Sequence, residues 1–140
     1  MMKHILSIAF GTILLTFLAC KDKDPVSTTH SVSGSEATIA WQDCALFTDH
    51  NLTICFIGAN ENRCPCDAEC FWEGTVDATF HVTSSAGIDT TITLTTNSSP
   101  ANLPNTAVIG GKTITFMNTD AVRCADFGKY EQYKAIVTVK

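Results

Sequence analysis

Positive charge is scarce in this sequence of 140 residues. The chain has 9 lysines and arginines against 14 aspartates and glutamates, a net charge of -5 at pH 7. A nucleic-acid-binding domain needs clustered basic residues to neutralise phosphates, so no nucleic-acid partner is expected. Hydrophobic residues make up 45% of the chain, which a disordered protein does not reach. The length allows one compact domain with an appendage.

Catalytic signatures are also missing. The sequence contains no phosphate-binding loop, no HExxH motif and no paired-carboxylate motif. The histidines His50 and His81 belong to no recognisable Ser/His/Asp or Cys/His arrangement. We therefore expect a non-catalytic protein with no cofactor, and a small periplasmic or surface enzyme without a recognisable motif is kept as an alternative.

The N-terminus has the pattern of a secretory signal. Lys3 precedes fifteen uncharged residues that run from Ile5 to Ala19. A helix that crosses a membrane needs about 20 apolar residues, and a charged run follows this segment at once. Residues 1–19 are therefore predicted to be a signal peptide and not a stable membrane span.

The end of this segment, FLAC at positions 17–20, resembles the lipobox of bacterial lipoproteins. Phe17 stands where leucine is usual, and the small Ala19 before the cysteine matches. The resemblance implies cleavage before Cys20, attachment of lipid to that cysteine and anchoring in a lipid bilayer. It implies an outer-membrane lipoprotein at the cell surface or on the periplasmic face. The next four residues, KDKD, resemble the export tag of Bacteroidota surface lipoproteins and equally fit a solvated charge run.

A polar tether is predicted between this anchor and the folded domain. Residues 20–35 comprise the cysteine and the stretch KDKDPVSTTHSVSGS, which has no apolar periodicity. As a flexible coil, that stretch would hold the domain roughly 20 Å from the bilayer. The β domain is then expected to occupy residues 36–140.

Apolar and polar residues alternate through much of this domain. Successive side chains of a strand point to opposite faces, so Val76, Ala78, Phe80 and Val82 are predicted to share one buried face of a strand over 74–83. Further strands are predicted at 37–47, 52–58, 88–95, 112–118 and 133–139.

The segment 97–111 contains two prolines and a Gly-Gly pair and is predicted to form a loop. No segment shows a helical period. The sequence thus predicts an all-β domain, a small antiparallel β-sandwich or barrel of about six to seven strands.

Cys20 accounts for one of the seven cysteines, and the other six lie in the domain. Export favours their oxidation, so the domain is expected to be stapled by disulfides. A tight turn at 48–51 would place the first two cysteines opposite each other across a hairpin, within disulfide reach. A second pair would close a seven-residue loop, and the third pair follows by elimination. The predicted pairs are Cys44–Cys55, Cys64–Cys70 and Cys66–Cys124.

The CxCxxxC spacing of Cys64, Cys66 and Cys70 leaves a metal site as an alternative. Three thiolates suffice for a zinc or copper site. The candidate further ligands are Asp67, Glu69, Glu73 and His81. Reduced thiolates do not persist in an oxidising compartment without metal or protection, so disulfides are the preferred interpretation.

Residues 63–74, RCPCDAECFWEG, resemble a recurring motif of secreted and lipoprotein-type bacterial proteins. In that motif Arg-Cys-Pro is followed after four residues by Cys, an apolar residue, Trp, Ala, Gly and a strand. Glu73 replaces the alanine here, and Cys66 is additional. The resemblance implies a small β domain of unknown function.

Four residues of this motif are expected to have structural roles. Pro65 would stiffen the loop, Trp72 would supply an apolar face beneath it, and Gly74 would leave room for the indole at the start of the next strand. Arg63 could pair with one of several nearby acids. The candidates are Glu61, Asp67 and Glu69.

The expected function is that of a membrane-anchored envelope lipoprotein acting as a binding or structural module for a protein or glycan partner. Its recognition surface would be formed by loops on the rigid β scaffold. The triplet DTT at 89–91 resembles the O-glycosylation sequon of Bacteroidota, with Thr90 as the candidate acceptor, and also fits a solvated strand edge.

Overall fold

The computed structural model describes residues 27–97, 103–120 and 124–140. The strands are β1 (Thr29–Val32), β2 (Glu36–Ala40), β3 (Cys44–Phe47), β4 (Leu52–Glu61), β5 (Val76–Thr83), β6 (Asp89–Thr95), β7 (Thr106–Ile109), β8 (Lys112–Thr119) and β9 (Lys134–Val139). Two single 3₁₀ turns, Cys124–Asp126 and Tyr130–Gln132, precede β9. Within the described ranges no helix is long and apolar enough to span a bilayer. The predicted signal peptide at residues 1–19, the predicted lipidation site Cys20 and the KDKD run lie outside these ranges.

The strands form two open sheets, so the all-β fold is a sandwich and not a closed barrel. One sheet has the order β1-β3-β4-β5-β6 and the other has the order β2-β9-β8-β7. Neighbouring strands are antiparallel except for β1 and β3, which run parallel.

The core lies between the two sheets and follows the predicted alternation. The four apolar residues assigned to one face of β5 are completely buried. The ring of Phe80 lies 5.7 Å from that of Phe56 in the same sheet and 5.6 Å from that of Phe116 in the opposite sheet. Aromatic contacts therefore join the two layers at their centre.

The predicted strand at 37–47 is wrong in one respect, because it is two strands in different sheets. β2 pairs with β9, whereas β3 pairs with β4. The chain crosses between them at Gln42, whose φ of 62° interrupts the extended conformation. Trp41, beside this crossing, places its ring 5.4 Å from Phe56 and 5.8 Å from Tyr130.

Part of the predicted tether also lies in a strand. Residues Thr29–Val32 form β1, paired with β3, and the Cys44 N–H donates to the Thr28 carbonyl at 2.9 Å. The ordered domain therefore includes residues before position 36. These four residues show no apolar alternation, so the sequence carries no strand pattern here. β1 is ordered by its pairing with the edge of β3.

The loop predicted at 97–111 is also corrected in its second half. Residues Thr106–Ile109 form the edge strand β7, which pairs with β8 through a hairpin at Gly110-Gly111. Both glycines have positive φ, 57° and 74°, as a two-residue type I′ turn requires.

The disulfide end of the sandwich is the end where β4 stops at Glu61 and β5 begins at Val76. These two residues are register partners, so residues 62–75 form a loop there. Thr119 and Ala135, partners in the other sheet, lie at the same end. The opposite end carries the turns at 48–51 and 110–111.

Candidate functional site

The six domain cysteines form three disulfides in the structure. Cys44 lies opposite Cys55 in the β3–β4 register, as the tight turn predicted. The other two bonds meet at the disulfide end, where their Cα atoms are 5.9 and 5.5 Å apart. These bonds are Cys64–Cys70 and Cys66–Cys124.

The thiols considered as metal ligands are all in these bonds. Cys64, Cys66 and Cys70 therefore present no thiolate in this structure. In the described part of the chain, no group of three or more His, Cys, Asp and Glu side chains is placed to hold a metal ion. His81 lies elsewhere, on β5, where its Nε2 is 2.8 Å from Asp89 Oδ1.

The cystine loop, residues 63–74, is held at both ends by its backbone. The Asn62 N–H donates to the Thr75 carbonyl at 2.8 Å, and the Cys64 N–H donates to the Glu73 carbonyl at 3.2 Å. Within the loop, the Pro65 carbonyl accepts a turn hydrogen bond from Ala68 at 3.1 Å. One disulfide closes the loop on itself, and the other ties it to the segment before β9.

A buried carboxylate fixes the base of this loop. Of the three acids considered for Arg63, the structure selects Glu61, whose side chain is 3% exposed. Glu61 Oε1 accepts bonds from Arg63 N at 3.0 Å and Nε at 2.8 Å, and Oε2 accepts Nη2 at 2.5 Å. The Tyr133 hydroxyl donates to Oε2 at 2.5 Å and accepts the Gly128 N–H at 3.0 Å. The planar guanidinium suits this paired geometry.

These contacts shift three pKa values. Burial alone would raise the pKa of Glu61, but hydrogen bonds from Arg63 and Tyr133 favour the carboxylate and hold the pKa below its ordinary value. Bonding to Glu61 raises the pKa of Arg63. Burial, followed by the bond to Glu61, raises the pKa of Tyr133. At neutral pH the group is an ion pair with a neutral phenol.

Glycine is required at position 74 because the backbone of Asn62 and Arg63 lies close to it. The expected reason, room for the indole of Trp72, is corrected. A Cβ at this position would lie only 2.6 Å from Arg63 Cα and closer still to the Asn62 carbonyl oxygen. Its φ of 73° also belongs to the region that favours glycine. The strand starts two residues later, at Val76.

The expectation that Trp72 packs beneath the loop is wrong. Its side chain is 67% exposed, and the neighbouring Phe71 is fully exposed. The tryptophan that packs against the core is Trp41. Sequence reasoning missed Phe71. The available signal was its position beside Trp72, between the disulfide cysteine Cys70 and the required Gly74.

Two shallow cavities adjoin the cystine loop. One, of about 410 Å³, lies between Arg63 and Glu73 on one side and Thr96 and Met117 on the other. The second, of about 350 Å³, lies beside the Cys66–Cys124 bond. The cystine loop thus carries two exposed aromatic rings and adjoins two hollows.

The candidate acceptor Thr90 lies elsewhere, in the edge strand β6. It pairs with the buried Val82 and is half-buried itself, whereas the adjacent Thr91 is exposed.

Comparison of the chain with protein-family models, with curated proteins and with solved structures finds no match.

Proposed function

We propose that this chain is a lipid-anchored envelope lipoprotein that acts as a non-catalytic binding module through its cystine loop. The observation that carries the proposal is the exposure of Phe71 and Trp72 on a loop held by two disulfides. Exposed aromatic residues in adjacent positions are rare without a function, since water disfavours their surface. Aromatic side chains also supply much of the energy of binding surfaces.

The loop is organised before it binds. Two disulfides, the Glu61–Arg63 pair and the constrained Gly74 limit its conformations. A surface ordered in advance loses less conformational entropy on binding, so a small aromatic contact can suffice. The three acidic side chains of the loop, Asp67, Glu69 and Glu73, make its rim negative.

The lipid anchor is proposed from the lipobox at positions 17–20, and the location is the outer membrane, at the surface or on the periplasmic face. The anchor is tested by mass measurement of the protein purified from its native membranes. A mature chain that begins at an acylated Cys20 is expected, and Cys20→Ala should release the protein from the membrane fraction. An unmodified N-terminus at another residue would overturn the lipoprotein assignment.

Binding through the loop is tested by a photoreactive phenylalanine analogue placed at Trp72 in the full chain, expressed in its native envelope. The matched control carries the analogue at Val108, which is 73% exposed on the edge strand β7. Adducts from position 72 and none from position 108 are expected. Equal yields at the two positions would contradict a binding role for the loop, and the adduct identifies the partner as protein, glycan or lipid.

A further inference from the structure

The path of the N-terminal chain relates the anchor to the cystine loop. β1 runs parallel to β3 and therefore antiparallel to β4, with Thr29 level with Cys44 and Cys55. From Cys55, β4 continues to Glu61 at the disulfide end. The chain that enters β1 therefore comes from the direction of the disulfide end.

The position of Ser27, the first described residue, supports this direction of the chain. Its hydroxyl lies 3.2 Å from Cys44 Sγ, and it borders a hollow that Ile57 of β4 also lines. Ile57 is four residues before the end of β4, which corresponds to about 13 Å along the strand. Ser27 thus lies on the side of β1 that faces the cystine loop.

The chain between Ser27 and Cys20 is short. Seven residue steps join Cys20 to Ser27. Fully extended they reach about 25 Å, of which about 13 Å is needed to pass the end of β4. If Cys20 is acylated, the disulfide end is the end of the sandwich nearest the bilayer, and about 12 Å of chain is left beyond β4.

We propose that the surface contacted by Phe71 and Trp72 is the headgroup region of the bilayer in which this same chain is anchored. The inference rests on the proposed lipidation of Cys20. Tryptophan favours the membrane–water interface, where its apolar ring meets acyl chains while its N–H stays hydrated, and phenylalanine adds apolar surface beside it. The contact would fix the orientation of the domain on the membrane, with the opposite end of the sandwich outermost.

The charge of the loop limits which lipids suit it. Asp67, Glu69 and Glu73 flank the aromatic pair and are exposed. Anionic headgroups repel such side chains, so the contact should be stronger on zwitterionic than on anionic lipid. This dependence separates the proposal from unspecific adhesion of aromatic rings.

The experiment uses the acylated mature chain carrying Trp41→Phe, so that Trp72 is the single tryptophan. The protein is reconstituted in phosphatidylcholine vesicles that contain lipid brominated near the headgroup. We expect Trp72 emission to shift to shorter wavelength and to lose intensity through quenching. The matched control adds Trp72→Phe and Val108→Trp, which moves the tryptophan to another exposed position, and no quenching is expected there.

Adding phosphatidylglycerol to the vesicles should reduce the quenching of Trp72, and salt should restore it. Quenching at position 72 no greater than at position 108, in protein whose Cys20 acylation is confirmed by mass, would overturn this inference and leave the anchor intact. An unacylated Cys20 would overturn the anchor and this inference together. In the chain that keeps Trp41, the photoreactive analogue at position 72 should give lipid adducts, and adducts with protein or glycan instead would contradict the membrane contact.

Discussion

The Tyr133 hydroxyl donates a hydrogen bond of 2.5 Å to the Glu61 carboxylate, although 72 positions separate the two residues. Glu61 ends β4 in one sheet, and Tyr133 precedes β9 in the other. The same carboxylate binds Arg63 at the base of the cystine loop. One buried acid therefore links both sheets to the proposed binding surface.

Glu61→Gln should lower the free energy of unfolding by about 2 kcal/mol, because the substitution removes the charge that Arg63 and Tyr133 bind in a largely buried site. Urea unfolding of the purified chain measures this loss. The control is Glu36→Gln, which changes an exposed acid of β2 and should alter stability by less than about 0.5 kcal/mol. Equal losses in the two variants would contradict a structural role for Glu61.

Stability should fall at both extremes of pH. The pKa of Glu61 is lower in the folded chain than its ordinary value of 4.5, so its contribution is present above pH 4.5 and is lost as the pH falls through the lowered pKa. The pKa of Tyr133 is raised above 10.0, so its contribution is present below pH 10 and is lost as the pH rises through the raised pKa. Denaturant midpoints across pH test this profile. Tyr133→Phe should flatten the alkaline limb, and an unchanged limb would contradict the assignment.

Gly74→Ala should destabilise the domain far more than Gly87→Ala, although both glycines have positive φ, 73° and 87°. A Cβ at Gly87 meets nothing within 4 Å, so its cost is backbone strain of about 1 kcal/mol. At Gly74 the Cβ also collides with the backbone of Asn62 and Arg63, which should add at least about 2 kcal/mol. Thermal or urea unfolding of the two variants gives the comparison, and similar losses would contradict the close approach.

Removing the Cys66–Cys124 disulfide by paired alanine substitution should lower the free energy of unfolding more than removing Cys64–Cys70. The two bonds span 58 and 6 positions, for which chain entropy gives about 4 and about 2 kcal/mol. The midpoints of urea unfolding rank the two variants. The reverse order would show that native contacts, and not the loop closed in the unfolded chain, dominate the effect. In the unmodified chain, alkylation without reductant should block none of these four cysteines.

Alanine substitution should lower the free energy of unfolding much more at Trp41 than at Trp72. Trp41→Ala removes a ring packed against Phe56 and Tyr130 and should cost about 3 kcal/mol. Trp72→Ala removes an exposed ring and should change stability by less than about 0.5 kcal/mol. A large loss of stability in Trp72→Ala would place this residue in the core and contradict its role in contact.

Local patterns in the sequence sufficed for several elements. The alternation in β5 identified its buried face, and the turn at 48–51 set the register that brings Cys44 opposite Cys55. These features depend on residues near one another in the chain, for which strand geometry leaves few choices. The pattern did not reveal β1 or β7, because each has only four residues and gains its order from a neighbouring strand.

The sequence by itself determined the all-β class, the composition of the buried faces and the presence of a cysteine-rich loop before β5. The tertiary structure alone decided that the sheets form an open sandwich, that Trp41 and not Trp72 packs against the core, and that Glu61 is the partner of Arg63. Periodicity reports which face of a strand is apolar. It does not report which distant segment covers that face, and this depends on contacts between residues such as Glu61 and Tyr133 that only folding brings together.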